Sequence, residues 1–220
     1  MIWTLLLACV VVFNTTDGAP TTTIASTATT EICTVPDYLK DIISVIPKDL
    51  IKNITDQHLK TDEGFRSAVK YMQTDEWKKR IQVIKEKPEW VALKKYLKGL
   101  GINVDIFIKL VEGYIQNVNV TLDPGKPASK KTVKAFLLDV EQNLPTLRIL
   151  TAIHENMVKD AKLQDLFEKI SADETRKMVD KVLELPEIKK MVKDLSDMDL
   201  NFAEALVSVY ALMGWGQPKI

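Results

Sequence analysis

The chain has 220 residues, with 30 Lys and Arg balanced by 30 Asp and Glu. That balance supplies neither the basic face that nucleic acid requires nor a polybasic membrane patch. A hydrophobic fraction of 46% with 27% charged residues excludes a wholly disordered chain and leaves ample material for a core.

In chain order, Ile2 to Phe13 (IWTLLLACVVVF) form an apolar run followed by the small residues Thr16, Gly18 and Ala19. Residues 1–18 therefore read as a secretory signal, cut after Gly18 because a later cut would leave Pro20 at the new N-terminus. The run lacks a preceding Lys or Arg, which departs from the usual pattern, and it is well short of the roughly 20 residues that span a bilayer. Cys9 leaves with the signal, so Cys33 is the sole remaining cysteine and no intramolecular disulfide can form. No base adjoins Cys33 to activate a thiolate, which leaves a spectator thiol or pairing between chains. Residues 19–35 hold Thr21, Thr22, Thr23, Thr27, Thr29, Thr30 and Ser26; such a segment cannot order itself by burial and reads as a flexible tail open to O-glycosylation. Asn-X-Thr sequons stand at Asn14, Asn53 and Asn119. Asn14 goes with the signal, so the candidate glycosylation sites are Asn119, in an expected linker and the better acceptor, and Asn53, in an expected helix where only the wet face can carry a glycan.

The rest of the chain repeats with a period of 98 residues. Leu39 falls on Leu137, Asp41 on Asp139, Pro47 on Pro145, Ile51 on Ile149 and Asp62 on Asp160. Asp75-Glu76 falls on Asp173-Glu174, Lys79 on Lys177, Pro88-Glu89 on Pro186-Glu187, Lys95 on Lys193, Leu97 on Leu195 and Asn103 on Asn201. Apolar positions correspond as well, with Phe65 on Leu163, Val69 on Phe167, Met72 on Ile170 and Ile84 on Val182. The first copy covers 36–118 and the second 131–216, joined by the turn-rich linker 119–130 (NVTLDPGKPASK) and followed by a tail at 217–220.

Each copy has helical periodicity. Thr74 suits an N-cap, and Trp77, Ile81 and Ile84 recur on one face behind it. Pro88 opens the next helix at the position where proline is tolerated, with Glu89 beside the positive end of the dipole. Gly99 to Gly101 closes that helix, and Val104, Phe107, Leu110, Val111 and Tyr114 begin another. In copy two, Ser171 and Glu174 have capping-box spacing, and Pro186 repeats Pro88. The expected fold is all-α, with five or six short helices per copy. Short helices depend on burying their apolar faces together, but periodicity does not tell a packed core from a ligand cavity.

The segments TDEWKKRIQVIKEKPEWVALKKYLKGLGINV (74–104) and ADETRKMVDKVLELPEIKKMVKDLSDMDLNF (172–202) resemble the insect allergen-related repeat, a family that includes cockroach major allergens, insect midgut microvillar proteins and the nitrile-specifier proteins of cabbage-feeding caterpillars. The resemblance spans roughly 36–216. It implies two repeats curled into one helical shell around a large apolar cavity that holds fatty acids or phospholipids. It also implies a secreted protein of the gut lumen or midgut microvillar surface that meets membranes transiently to exchange cargo. Copy two departs from the pattern, with Thr175 in place of Trp77 and Asp197-Met198-Asp199 in place of Gly99-Leu100-Gly101.

On this reading the protein is a lipid carrier, not an enzyme, and needs no cofactor or metal. Expected cavity-lining residues are Met72, Trp77, Ile81, Ile84, Trp90, Leu93, Leu110, Phe167, Met178, Val182, Met191, Leu206 and Tyr210. Acyl chains need only apolar walls, at about 0.8 kcal/mol per buried CH₂. The alternatives are a nitrile-specifier-like detoxification factor and a structural gut-surface protein that binds nothing. For catalysis the sequence offers only His58 and His154, 96 residues apart and so not strict repeat equivalents. Neither sits in a metal-binding or nucleophile motif, and both read as solvent-facing or helix-capping.

Overall fold

The computed structural model describes residues 44–122 and 129–219. The expected signal, the Thr-rich tail with Cys33, the first residues of copy one and the Asp123-Pro124-Gly125 turn lie outside the described residues. Eleven helices and no strand occur among those described. They are α1 (Lys48–Thr61), α2 (Glu63–Met72), α3 (Asp75–Lys85), α4 (Pro88–Gly99) and α5 (Val104–Asn117), then α6 (Lys134–Asn143), α7 (Thr146–Lys159), α8 (Ala161–Ser171), α9 (Asp173–Leu183), α10 (Pro186–Asp197) and α11 (Phe202–Leu212). The 98-residue offset carries α1 onto α7, α3 onto α9 and α4 onto α10 at both ends, and carries the first residues of α2 and α5 onto those of α8 and α11.

Local chemistry sets these bounds. The Thr74 hydroxyl accepts from the Trp77 N–H at 3.3 Å and caps α3. Asp62 caps α2 and Asp160 caps α8 in equivalent places. Pro88 and Pro186 occupy the first positions of α4 and α10. Gly101 turns the chain after α4 at φ 87°, and its counterpart Asp199 does the same at φ 60° without being glycine. Lys130 holds the Asp199 carboxylate at 2.9 and 3.0 Å. The Ser171–Glu174 capping box does not form. Ala172 is the N-cap of α9, and the Ser171 hydroxyl turns back to the Glu168 carbonyl at 3.1 Å.

The two copies interlock. Successive helices pack in order along α1–α5 and along α7–α11, and α6 lies across on α1 of the other copy; the copies are joined further by α4 on α9 and α3 on α10. The offset exchanges these two contacts, so the copies relate by an approximate two-fold. Ile84 and Val182, which are equivalent, meet in one apolar cluster, and so do Ile51 and Ile149 in another. Arg80 pairs with Asp194, and Lys87 with Glu187 at 2.5 Å, across the same boundary. The hydrogen bond from Lys87 is the main cause that holds the Glu187 carboxyl below its usual pKa.

The Trp77-to-Thr175 departure has a packing reason at this boundary. Thr175 is buried, and its hydroxyl bonds the Lys169 carbonyl at 2.8 Å and the Tyr96 hydroxyl at 3.1 Å. Tyr96 fills the space beside the smaller side chain. The residue equivalent to Tyr96 is Asp194, which pairs with Arg80 one turn along from Trp77. Large and small side chains have thus changed places across the pseudo-axis.

Candidate functional site

The apolar faces gather into clusters that mix both copies. On the pseudo-axis, Ile84 and Leu93 of copy one pack with Val182, Leu183, Ile188, Val192, Leu206, Tyr210 and Trp215, with Trp90, Met178 and Met191 partly buried against them. A second cluster joins Phe65, Ala68, Val69 and Trp77 to Val120, Val133, Leu137 and Met198, with Met72, Ile81 and Met191 against it. Eleven of the thirteen residues expected to line a cavity fall in these two clusters. Of the other two, Phe167 is half-buried outside both, and the side chain of Leu110 lies outside the described residues. Tyr210 is fully buried; its hydroxyl bonds Asp180, and its ring meets Trp215 edge-on at 5.2 Å. Burial foremost, then Asp180, raises its pKa.

Helix α5 behaves differently. Val104, Phe107, Ile108, Val111, Tyr114 and Ile115 share one face at helical spacing, yet no described side chain of this apolar helix is fully buried. Phe107 is 40% exposed. The equivalent helix α11 buries Ala205, Leu206 and Tyr210. α5 is nevertheless held firmly at its polar edge. Lys85 reaches Glu112 at 2.5 Å, Lys94 reaches Asp105 at 2.6 Å, and the Gln73 amide donates to the Ile115 and Val118 carbonyls, both at 2.8 Å. Its tyrosine leans on α1. Burial above all, then the Asp56 carboxylate, raises Tyr114 from 10.0 to about 12, against a hydrogen bond with Thr55. The Trp90 indole N–H on the adjoining α4 is buried with no hydrogen-bond partner. Apart from Leu110, this face of α5 was missing from the sequence-derived lining set, although its 3.6-residue spacing is plain in the sequence.

A second buried polar centre lies on α1. His58 is buried, contrary to the solvent-facing expectation, with its two ring nitrogens at 3.1 Å from Asp62 and 2.8 Å from Asp139. Phe65 and Phe136 meet the imidazole edge-on. Both nitrogens are engaged, so this histidine ties α1 to α2 and to α6 and has no free nitrogen to offer a substrate. His154 is exposed. No group of three or more potential metal ligands occurs among the described residues, and no described helix is long and apolar enough to cross a membrane. Two open clefts, of about 250 and 410 Å³, have mixed walls, with Lys162, Asp165 and Lys169 beside Leu100 and Leu166 in one and Lys134, Glu141 and Asp199 beside Leu137 and Leu138 in the other. Neither is an enclosed apolar space. Asn53 and Asn119 are both exposed.

An all-helical chain whose helix bounds recur at a fixed offset, and whose apolar faces are pooled between the copies, is a tandem-repeat helical protein. It belongs to the insect allergen-related repeat family, described as "Insect allergen related repeat, nitrile-specifier detoxification", whose family model matches residues 35–206. No curated protein matches the chain closely enough to count as a relative.

Proposed function

We propose that this protein is a secreted carrier that sequesters fatty acids or phospholipids, without catalysing a reaction on them. The observation that carries the reading is the apolar face of α5, fastened at its polar edge and with none of its described side chains fully buried. A filled core would bury such a face. An acyl chain laid along it would supply the missing contacts, at about 0.8 kcal/mol per CH₂ removed from water. The unpartnered Trp90 N–H is a donor suited to a carboxylate or ester oxygen. Secretion through residues 1–18, a gut-lumen or microvillar location and glycans on Asn53 and Asn119 belong to the same proposal.

Natively secreted protein should yield fatty acid or phospholipid by mass spectrometry of its organic extract. Stripping that lipid should lower Tm and adding it back should restore Tm, because a ligand that binds only the folded state stabilises it by mass action. Val111→Glu should weaken loading with little effect on the lipid-free fold, whereas Ile84→Glu, which places a charge in a packed cluster, should unfold the protein. A native preparation that yields no lipid and melts at the same temperature before and after extraction would rule the carrier out.

A further inference from the structure

The outer face of α7 carries Leu147, Leu150, Thr151, His154 and Val158 at positions that fall on one side of a helix. All five are exposed, with Leu147 at 78%, Val158 at 66% and Leu150 at 51%. The repeat supplies an internal control. The five equivalent residues on α1 are Asp49, Lys52, Asn53, Asp56 and Lys60, a charged and polar solvent face. The opposite sides of the two helices agree, since Ile51 and Ile149 are both buried in one cluster. The two helices thus share a buried face and differ on the outer one, where copy two has no residue of fixed charge.

We propose that this stripe is a docking surface for a bilayer containing anionic phospholipid. Two observations choose that occupant. Three apolar side chains on one helix fall well short of the about 800 Å² per partner that a stable protein–protein interface buries, while a single amphipathic face is enough to seat on lipid. Basic side chains border the stripe. Arg148 and Lys159 are exposed on the flank of the same helix, and of the nearby acids Glu155 pairs with Lys159 at 3.3 Å while the Asp160 carboxylate caps α8. Leucine and valine seated among acyl chains, with arginine and lysine at headgroup level, is the arrangement of an interfacial helix. The proposal deepens the carrier reading by giving it a surface for exchange, but it does not require a lipid-filled interior.

The test is sedimentation of the full chain with vesicles of phosphatidylserine and phosphatidylcholine. The triple variant Leu147→Asp, Leu150→Lys, Val158→Lys installs the residues that α1 carries and spares the buried face. Wild type should sediment with the vesicles and the variant should bind at least tenfold more weakly, with the same melting temperature and the same solution mass. The proposal is overturned if wild type stays in the supernatant or if the variant binds equally well. It is also overturned if wild type forms a dimer that the variant does not, because the stripe then serves a second copy. An interior free of lipid in protein that still docks would remove the carrier reading and leave this one standing.

Discussion

Gly64 shows how closely the inter-copy segment lies on copy one. A Cβ at this position would stand 2.5 Å from the Thr132 methyl and 3.1 Å from the Lys130 carbonyl oxygen. The Gly64 carbonyl also accepts from the Thr132 N–H at 3.2 Å. Thr132 is not free to turn away, since its hydroxyl accepts from the Lys134 N–H at 3.2 Å and its side chain is the main cause of the lowered pKa of Asp199. Gly64→Ala should therefore destabilise the protein by about 1–2 kcal/mol, the overpacking cost less the gain in helix propensity. Urea unfolding measures it, and an unchanged or raised midpoint would contradict the close approach. Residues of this kind also mark the limit of sequence reading. The burial of His58 depends on Asp139, 81 positions away, and no local pattern announces such a partner. Asp199 stands at positive φ where the repeat has Gly101, and nothing in its own side chain signals that conformation.

At the scale of the helix, local punctuation was legible where backbone chemistry decides alone, as at Thr74, Pro88, Pro186 and Gly101. It failed at Ser171, whose hydroxyl satisfied a carbonyl of the preceding helix instead of capping the next. The apolar stripes were legible too, but which of them packs and which stays open was not, because α5 and α11 have the same period and differ only in what lies opposite. The approach of Tyr114 to Thr55 and Asp56 of α1 has a measurable consequence. Its pKa is raised from 10.0 to about 12, so the fold favours the neutral phenol. That contribution is intact below pH 10 and is lost as pH rises from 10 toward 12. Tyr114→Phe should flatten the alkaline loss of stability in that window by about 1–2 kcal/mol, allowing for solvent screening. Denaturant titrations of both proteins at pH 8 and near pH 12 provide the comparison; equal slopes would mean that the phenol is not confined.

At the scale of the molecule, neither copy owns a core. The cluster on the pseudo-axis and the one around Trp77 each draw from both copies, and the α4–α9 and α3–α10 contacts join them again. Residues 131–216 expressed alone should give no cooperative thermal transition, and mixing with residues 19–130 should restore one. A sharp melt from the isolated second copy would show that it is a self-sufficient domain.

The exchange of Trp77 and Asp194 for Thr175 and Tyr96 carries a consequence for how such a chain can vary. Were the copies separate, identical subunits related by a true two-fold, every substitution would appear on both sides of the interface and would have to be tolerated twice. Joining them in one chain lifts that restriction. A bulky ring can be balanced by a small residue on one side while the mirror position does the reverse, and one copy can keep a charged outer helix while the other gives its charge up. Covalent linkage thus frees the two halves of a pseudo-symmetric molecule to become a front and a back.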